Sequence, residues 1–357
     1  MTSLLNPCCT SIGAVETEDE EDSLKDEEGE DYTEFVKHDS LLDKSTGRTV
    51  LYATCGNPEG TTPLLLFPPL GGTRRMLLVL KHPFQQQQLS SKLFAICVSR
   101  PGSEEGSSTT DKDPTTAAQQ VEAHLQDTLA VLDHLQLQQA SILATCAGMS
   151  FALAFCAKHA SRTTGKFLAL APWSLPADCP AQKSLFCFAA HYLHRTTISS
   201  VVGSIQMCMM NCLSKDFVAQ KMRETCSAEE LEYLENRFHD GDDKPQPSGN
   251  NNMVHDDAFG RELAWMMGKA HNEKMDIMVC LSSSQDLGFD YSQVKQQDII
   301  IWQGDQDKMT TLPATQWLAD QLPKARLFVV PNGTHHGALF MLGSEFNLAL
   351  EHLTVLQ

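Results

Sequence analysis

The chain has 357 residues, of which 42% are hydrophobic, and this is enough for one large α/β core or two smaller ones; its formal charge is −18. The acidic balance argues against nucleic acid as a partner, because nucleic-acid binding needs a basic surface. Residues 16–34 alone hold twelve acidic residues and one lysine, which leaves about −7 for the rest of the chain. We therefore expect residues 1–40 to form a disordered, solvated acidic tail, with partner binding as its alternative role.

Twelve cysteines in a chain of this length do not indicate a disulfide-rich scaffold. Residues 1–15 have neither the basic start nor the apolar centre of a signal peptide, and no run reaches the roughly 20 apolar residues of a membrane span. We expect a cytoplasmic protein without a transmembrane segment. Cys8 and Cys9 could accept palmitate, or they could be ordinary cysteines of the tail.

Short apolar runs and a long helical pattern alternate along the first half of the chain. Residues 48–54 are rich in β-forming residues, and the apolar runs at residues 63–67, 93–98 and 166–171 are typical of strands buried on both faces. From residue 117 to residue 135, apolar side chains recur mostly at helical spacing. This alternation predicts a mostly parallel sheet with helices on both faces.

The most informative segment is Ala144–Gly148, which lies between an apolar run and a helix-like stretch beginning at Met149. Small residues stand two positions away from Cys146 on either side. This is the spacing of a nucleophile elbow, a strand-to-helix turn that is too tight for bulky neighbours. Cys146 holds the position that serine usually occupies, and the start of the following helix would favour its thiolate. The alternative is that Cys146 merely fills the elbow of an inactive site.

The alternating pattern stops after Trp173. Regular elements return later as two strands and a helix, at residues 298–302, 325–330 and 313–322. Residues 174–295 between them have helical periodicity and many methionines and cysteines. They predict a helical cap inserted into a single core, which would consist of residues 41–173 and 296–357. Two independent domains would explain the pattern less well.

Apolar side chains of this cap would form the walls of a substrate pocket. Together with Met149 beside the elbow, the candidates are Phe186, Met207 and Met210. Methionine adapts to irregular ligands, but it also fills ordinary protein cores, so both interpretations stay open.

Both strands of the second half end in loops that carry residues suited to acid–base chemistry. Asp305 and Asp307 follow the first of these strands, and His335 and His336 follow the second. A nucleophile on an elbow needs a base, and the base needs an acid that orients it. The sequence therefore offers two candidates for the acid and two for the base.

In this order the segments resemble the α/β-hydrolase superfamily, especially its capped esterase, lipase and prolyl-aminopeptidase-like members. The resemblance extends over about residues 45–175 and 296–345. It rests on six segments taken together: Gly56–Gly60, Pro68–Gly72, Arg100–Gly102, Ala144–Gly148, Trp302–Asp307 and Pro331–His336. The resemblance implies the α/β-hydrolase fold, with a mostly parallel central sheet, helices on both faces and an inserted helical cap. The family order of nucleophile, acid and histidine implies Cys146, Asp307 and His335 as catalytic residues.

The family also implies two backbone N–H donors that form an oxyanion hole. One donor is Ala147, directly after the nucleophile, and the other is Leu70 or, less favoured, Gly71, because Pro69 has no N–H. The chain departs from the family pattern at three places: Pro68-Pro69 in place of His-Gly, Ser99 in place of Asp, and Ala144 in place of Gly. Cysteine as the nucleophile resembles the dienelactone hydrolases, which use a Cys-Asp-His triad.

Two functions fit these residues. The first is hydrolysis of a carboxylic ester or related acyl bond in a small, apolar, acyl-bearing molecule, through a covalent acyl intermediate that needs neither cofactor nor metal. The second is a catalytically silent protein that binds a ligand or protein partner through its cap and its acidic tail. Ester, thioester, lactone and peptide bonds all fit such a triad, and the sequence leaves the oligomeric state open.

Overall fold

The computed structural model describes most of the predicted core and parts of the predicted cap. The described residues are 34–43, 46–60, 62–86, 89–104, 114–182, 220, 223–238, 262, 265–266, 274–296, 298–342, 349–350 and 352–353. Residues 1–33 of the predicted tail, and residues 183–219 and 239–261 of the predicted cap, lie outside these ranges. Within the described ranges, no helix combines the length and the apolar composition needed to cross a membrane.

The strands of the described residues assemble into one sheet of eight. They are β1 (Lys37–Asp43), β2 (Arg48–Gly56), β3 (Thr62–Phe67), β4 (Leu93–Val98), β5 (Ala140–Thr145), β6 (Thr163–Leu170), β7 (Asp298–Gly304) and β8 (Ala325–Val330). Their order in the sheet is β1-β2-β4-β3-β5-β6-β7-β8. β2 is antiparallel to both of its neighbours, and every other adjacent pair is parallel. The predicted mostly parallel sheet is thereby confirmed.

Helices connect these strands. They are α1 (Lys81–Gln86), α2 (Ala117–His134), α3 (Gly148–Lys158), α4 (Ala228–Phe238), α5 (Lys274–Cys280), α6 (Leu312–Gln321) and α7 (His335–Leu339), with a 3-10 helix at Arg74–Leu80. Local sequence explains where some of them begin. Thr116 caps α2, because its side chain accepts a hydrogen bond from the Gln119 N–H. Pro313 lies in the first turn of α6, where an N–H has no partner within the helix.

The central strands are buried on both faces, which explains their unbroken apolar sequences. Every residue of β4 and β5 is buried, and so is every residue of β3 except Pro63. At the sheet edge, by contrast, Phe328 and Val329 of β8 are 41% and 44% exposed. The core therefore lies around β3, β4 and β5.

The six predicted strands are all present, within a few residues at their ends. The predicted boundary between the acidic tail and the core at residue 40 is wrong, because residues 37–40 belong to strand β1. Its sequence is mostly polar and none of its residues is fully buried, so it lacks the apolar run that reveals an inner strand. In the predicted cap, the described parts include α4 and α5; the division into core and cap stays a prediction.

The parallel strands determine where a site can form. β3, β5, β7 and β8 run in the same direction, so their carboxyl ends meet at one edge of the sheet. The loops after these four strands are the Pro68–Gly72 loop, the elbow, and the two loops that carry the candidate acid and histidine. Ligands of open α/β sheets bind at this edge.

Candidate active site

Cys146 lies at the tight turn between β5 and α3. Its backbone φ is +46°, a left-handed conformation that is uncommon for a residue with a side chain. The turn is fixed by two backbone hydrogen bonds, from the Cys146 N–H to the Leu170 oxygen at 3.1 Å and from the Trp173 N–H to the Cys146 oxygen at 3.0 Å. The Cys146 side chain is buried, with 5% of the residue exposed. A strained, buried residue at this edge is a feature of functional sites.

Gly148 explains why the elbow demands a small residue two positions after Cys146. A Cβ added at Gly148 would lie 2.1 Å from the backbone oxygen of Phe67 and 2.6 Å from that of Pro68. The elbow therefore packs directly against the end of β3 and the loop that follows it. This contact brings the two segments that carry the predicted oxyanion donors together.

His335 and Asp307 meet in the next two loops. The His335 Nδ1 and the Asp307 Oδ2 are 2.7 Å apart, and both side chains are buried. The Asp307 carboxylate also accepts hydrogen bonds from the Met309 N–H at 2.8 Å, the Thr310 N–H at 2.8 Å and the Thr310 hydroxyl at 2.7 Å. Asp305, the fallback acid, is exposed. The structure thus brings Asp307, and not Asp305, to the histidine.

The charges around His335 favour its protonated form. Burial alone lowers the pKa of His335, but the electrostatic interaction with Cys146 and the hydrogen bond and charge of the Asp307 carboxylate outweigh burial and raise the pKa to about 10. Burial likewise would raise the pKa of Asp307, yet hydrogen bonds from His335 and Thr310 hold that pKa below its usual value. Cys146, His335 and Asp307 therefore form one coupled electrostatic unit.

His336 is a neighbour of this unit and does not replace His335. Its Nδ1 lies 2.6 Å from the Thr225 hydroxyl, and its ring meets that of His335 edge to face at 6.0 Å. Burial, followed by repulsion from the charge on His335, lowers the pKa of His336 to about 4. This ring is accordingly neutral at pH 7.

Leu70 and Ala147 have the backbone groups that an oxyanion hole needs. Ala147 is buried and Leu70 is half-buried. Among the described residues, neither the Leu70 N–H nor the Ala147 N–H donates to a protein acceptor. The loop turns tightly at this point, because the Gly72 N–H donates to the Pro69 oxygen at 3.0 Å and the φ of Gly71 is +71°. Within the described part of the chain, both N–H groups are therefore without a protein partner, as an oxyanion donor requires.

Arg100 binds the backbone of the Pro68–Gly72 loop. Its guanidinium donates to the backbone oxygens of Pro68 at 2.9 Å, Pro69 at 2.6 Å and Gly72 at 3.3 Å, and only 1% of the residue is exposed. Asp276 of α5 balances its charge. In the sequence, Arg100 stands out only as part of the Arg100–Gly102 segment, and no local signal marks Asp276.

A carboxylate also lies beside Ser99, at the position where the resemblance to α/β-hydrolases implies an aspartate. The Ser99 hydroxyl donates to the Glu104 carboxylate, which in turn accepts from the Arg74 N–H at 3.3 Å and pairs with the Arg74 guanidinium at 3.3 Å. An acid from the following loop thus supplies the negative charge that Ser99 lacks.

Thr310 is another residue that the sequence analysis missed. It donates twice to Asp307, and its hydroxyl is 3.4 Å from the His335 Nδ1. Aspartate often bonds backbone and hydroxyl groups two or three residues further along a turn. The spacing Asp307–Thr310 was therefore a signal that could have revealed this role.

The predicted substrate walls are only partly described. Met149 is fully buried next to the elbow, and its N–H donates to the Cys146 oxygen at 3.0 Å. Phe186, Met207 and Met210 lie outside the described residues.

A cavity of about 610 Å³ opens beside the histidine loop. It is lined by residues 224–229, which precede and begin α4, and by residues that include Lys308, Asn332 and His335. Of the described residues that line this cavity, His335 belongs to the catalytic candidates and Cys146 is not included. The cavity therefore reaches the candidate base.

No family model matches the sequence, and no curated protein matches it. Solved structures match most of its length. Est816, described as an N-acyl homoserine lactone degrading enzyme, is 17% identical, with a TM-score of 0.54 over 88% of this chain and 99% of Est816. A thermophilic esterase from Thermogutta terrifontis is 15% identical, with a TM-score of 0.54 over 89% of this chain and 100% of the esterase.

A third match states the fold in its description. It is an alpha/beta hydrolase fold protein from Nakamurella multipartita, 16% identical, with a TM-score of 0.54 over 89% of this chain and 99% of the matched protein. At these identities, the similarity concerns the fold. Together with the eight-stranded sheet and the loops at its carboxyl edge, it shows that this chain has the α/β-hydrolase fold.

Proposed function

We propose that the protein is a cofactor-independent hydrolase of a carboxylic ester or a related acyl bond. Cys146 is the nucleophile, His335 is the general base and acid, and Asp307 orients His335. The observation that carries the proposal is the 2.7 Å bond between the buried side chains of His335 and Asp307, at the same edge of the sheet as buried Cys146.

The first half of the reaction transfers the acyl group to Cys146. Because the His335 Nδ1 is bonded to Asp307, its Nε2 is the nitrogen available to the thiol and the substrate. The thiolate sulfur attacks the carbonyl carbon, and the N–H groups of Leu70 and Ala147 bind the oxygen that becomes negative. When the carbon–oxygen bond to the leaving group breaks, protonated His335 gives its Nε2 proton to that group. A thioester on Cys146 remains.

The second half restores the enzyme with water. His335 removes a proton from a water molecule, whose oxygen attacks the thioester carbonyl, and the same two N–H groups stabilise the second oxyanion. The carbon–sulfur bond then breaks, the carboxylic acid leaves, and Cys146 and protonated His335 form their ion pair again. No step needs a metal or a cofactor.

The substrate class is proposed as a small acyl-bearing molecule with an apolar acyl part. Two proteins of the same fold support this class by their descriptions, one as a lactone-degrading enzyme and one as an esterase. The apolar candidates Met149, Phe186, Met207 and Met210 fit the same class as pocket walls.

A catalytically silent binding protein is the second candidate. The cysteine at the elbow and the two prolines of the Pro68–Gly72 loop favour it, because a pocket built for serine can misplace the larger sulfur atom. In that case the cap would bind a ligand or protein, and Cys146 would only fill space.

Alkylation of Cys146 by iodoacetamide separates the two functions. We expect Cys146, followed by mass spectrometry from pH 5 to 10, to react at least about tenfold faster at pH 6 in the wild type than in His335→Ala, because His335 is the base that takes up the thiol proton. The control is His352→Gln, which removes a histidine bonded to Asp298 at the opposite end of β7. Equal profiles in wild type and His335→Ala would reject the hydrolase in favour of binding. Loss of acyl turnover in Cys146→Ala is the second required result.

A further inference from the structure

Glu230 of α4 is a buried carboxylate that contacts the loop carrying His335. Only 4% of the residue is exposed. One carboxylate oxygen accepts from the Thr334 N–H at 2.8 Å, and the other accepts from the Thr334 hydroxyl at 2.7 Å and the Ser227 N–H at 2.8 Å. A buried carboxylate without a cation is costly unless donors surround it, and here three donors do so.

The fit of this carboxylate into the histidine loop is close. Thr334 directly precedes His335, and its hydroxyl also accepts from the Gly337 N–H at 3.2 Å, which shapes the start of α7. A Cβ added at Gly337 would lie 1.7 Å from the Glu230 Oε1. Glu230 therefore occupies the space that any side chain at residue 337 would need.

The segment that carries Glu230 touches the core at two further points. Before α4, the Thr225 hydroxyl lies 2.6 Å from the His336 Nδ1. Within α4, the Tyr233 hydroxyl lies 2.9 Å from the His82 Nδ1 of α1. α4 therefore contacts both α1 and the loop that carries His335. A change in the position of α4 would move the residues next to His335.

We propose that Glu230 is a positioning residue for His335, through which α4 sets the orientation of the catalytic base toward Asp307. The catalytic meaning of this role rests on the proposed function, but the geometric role does not. Glu230 acts by hydrogen bonding: the groups whose charges act on His335 are Cys146 and Asp307. The position of α4 and the orientation of the His335 ring toward Asp307 are consequently coupled.

Glu230→Gln tests the need for a carboxylate with almost no change in volume. The two N–H donors from Thr334 and Ser227 face different oxygens of Glu230 and cannot be reversed. Either orientation of a glutamine amide therefore places its NH₂ group against a backbone N–H. Glu232→Gln is the matched control, because Glu232 is an exposed acid on the same helix.

The readout is the pH titration of the His335 ring in ¹⁵N-histidine-labelled protein, assigned with His335→Ala. We expect the titration midpoint to fall by about one pH unit or more in Glu230→Gln, because a displaced ring loses its bond to Asp307. Glu232→Gln should titrate like the wild type. A wild-type midpoint in Glu230→Gln would overturn the proposal. Absence of acyl turnover in the wild type would reject the proposed function but leave this comparison intact.

Gly337→Ala provides a second variant that keeps the Glu230 charge. The added methyl group should displace the carboxylate and lower the His335 midpoint in the same way. In the double variant Glu230→Ala/Gly337→Ala the space is already empty, so the second change should add little to the first. Fully additive shifts would overturn the proposal, because they would mean that residues 230 and 337 act independently.

Discussion

The nucleophile and the base of the proposed site are held in place by different means. Cys146 is fixed by the backbone: its turn bonds Leu170 and Trp173, and the α-carbon of Gly148 packs on the backbone oxygen of Phe67. No side-chain hydrogen bond is needed to shape this turn. The nucleophile side therefore depends on residue size and sheet geometry.

The base side depends on side chains from other elements. Asp307 and Thr310 reach His335 from the loop after β7, and Glu230 reaches Thr334 from α4. Each contact requires a particular acid or hydroxyl group, because the donors around it are fixed.

The difference shows which substitutions each side tolerates. On the nucleophile side, we expect Cys146→Ser to leave the backbone of the turn unchanged, whereas a side chain added at Gly148 would clash with the Phe67 oxygen. On the base side, single polar substitutions far from His335 are expected to disturb it. The following predictions test this contrast.

The largest effect is expected for Asp307→Asn. The change keeps the shape of the side chain but removes the carboxylate that orients and stabilises His335, so kcat for acyl hydrolysis should fall about 10³–10⁴-fold. Asp305→Asn is the matched control and should stay within about twofold of the wild type, since Asp305 is exposed. Steady-state kinetics on one ester or lactone substrate compares the two. A greater loss of kcat in Asp305→Asn than in Asp307→Asn would identify Asp305 as the residue that orients His335.

Gly148→Ala should mainly affect stability. The new methyl group would lie 2.1 Å from the Phe67 oxygen, so backbone must move, and the free energy of unfolding should drop by about 3 kcal/mol. Urea unfolding measures it. Gly47→Ala is the control: its φ is +75° and the space around it is open, so only backbone strain of about 1 kcal/mol applies. Equal losses at both positions would contradict close packing at the elbow.

At neutral pH the smallest effect is expected for a buried histidine on the nucleophile side, because its effect on stability develops only as the pH falls. His124 is buried against the rings of Phe67 and Phe151, and burial, followed by repulsion from Arg100 and Arg48, lowers its pKa to about 3. The unfolded chain binds this proton near pH 6.5, whereas the folded chain binds it only near pH 3. Stability should therefore fall as the pH falls through this interval, by up to about 1.4 kcal/mol per unit.

His124→Phe should remove that part of the slope. Urea unfolding at pH 7, 6, 5 and 4 compares the variant with the wild type. Other, partly buried histidines with lowered pKa values, such as His38 and His336, titrate in both proteins, so their contribution cancels in the difference. Parallel pH profiles would mean that His124 does not titrate differently in the folded chain.

Much of the fold could be predicted from the sequence because its signals are local. Strands β3 and β4 consist of continuous apolar residues, as burial on both faces requires. The elbow can also be recognised locally, because its tight turn requires small residues two positions before and after Cys146. β1 escaped prediction because an exposed edge strand does not need apolar residues.

The contacts that support the site could not be predicted in this way. Arg100 and Asp276 are 176 residues apart, and Glu230 and Thr334 are 104 residues apart. The residues next to an arginine or a glutamate in the sequence do not reveal whether its side chain is exposed or buried. They therefore do not identify its partner.

The sequence by itself determined the order of buried strands, the elbow at Cys146 and the loops that offer an acid and a histidine, because apolar runs and tight turns are properties of neighbouring residues. The tertiary structure decided between Asp305 and Asp307, and it added Arg100, Thr310 and Glu230 to the site's surroundings. Hydrogen-bond partners depend on distances between elements, and these distances arise only when the sheet and its helices pack.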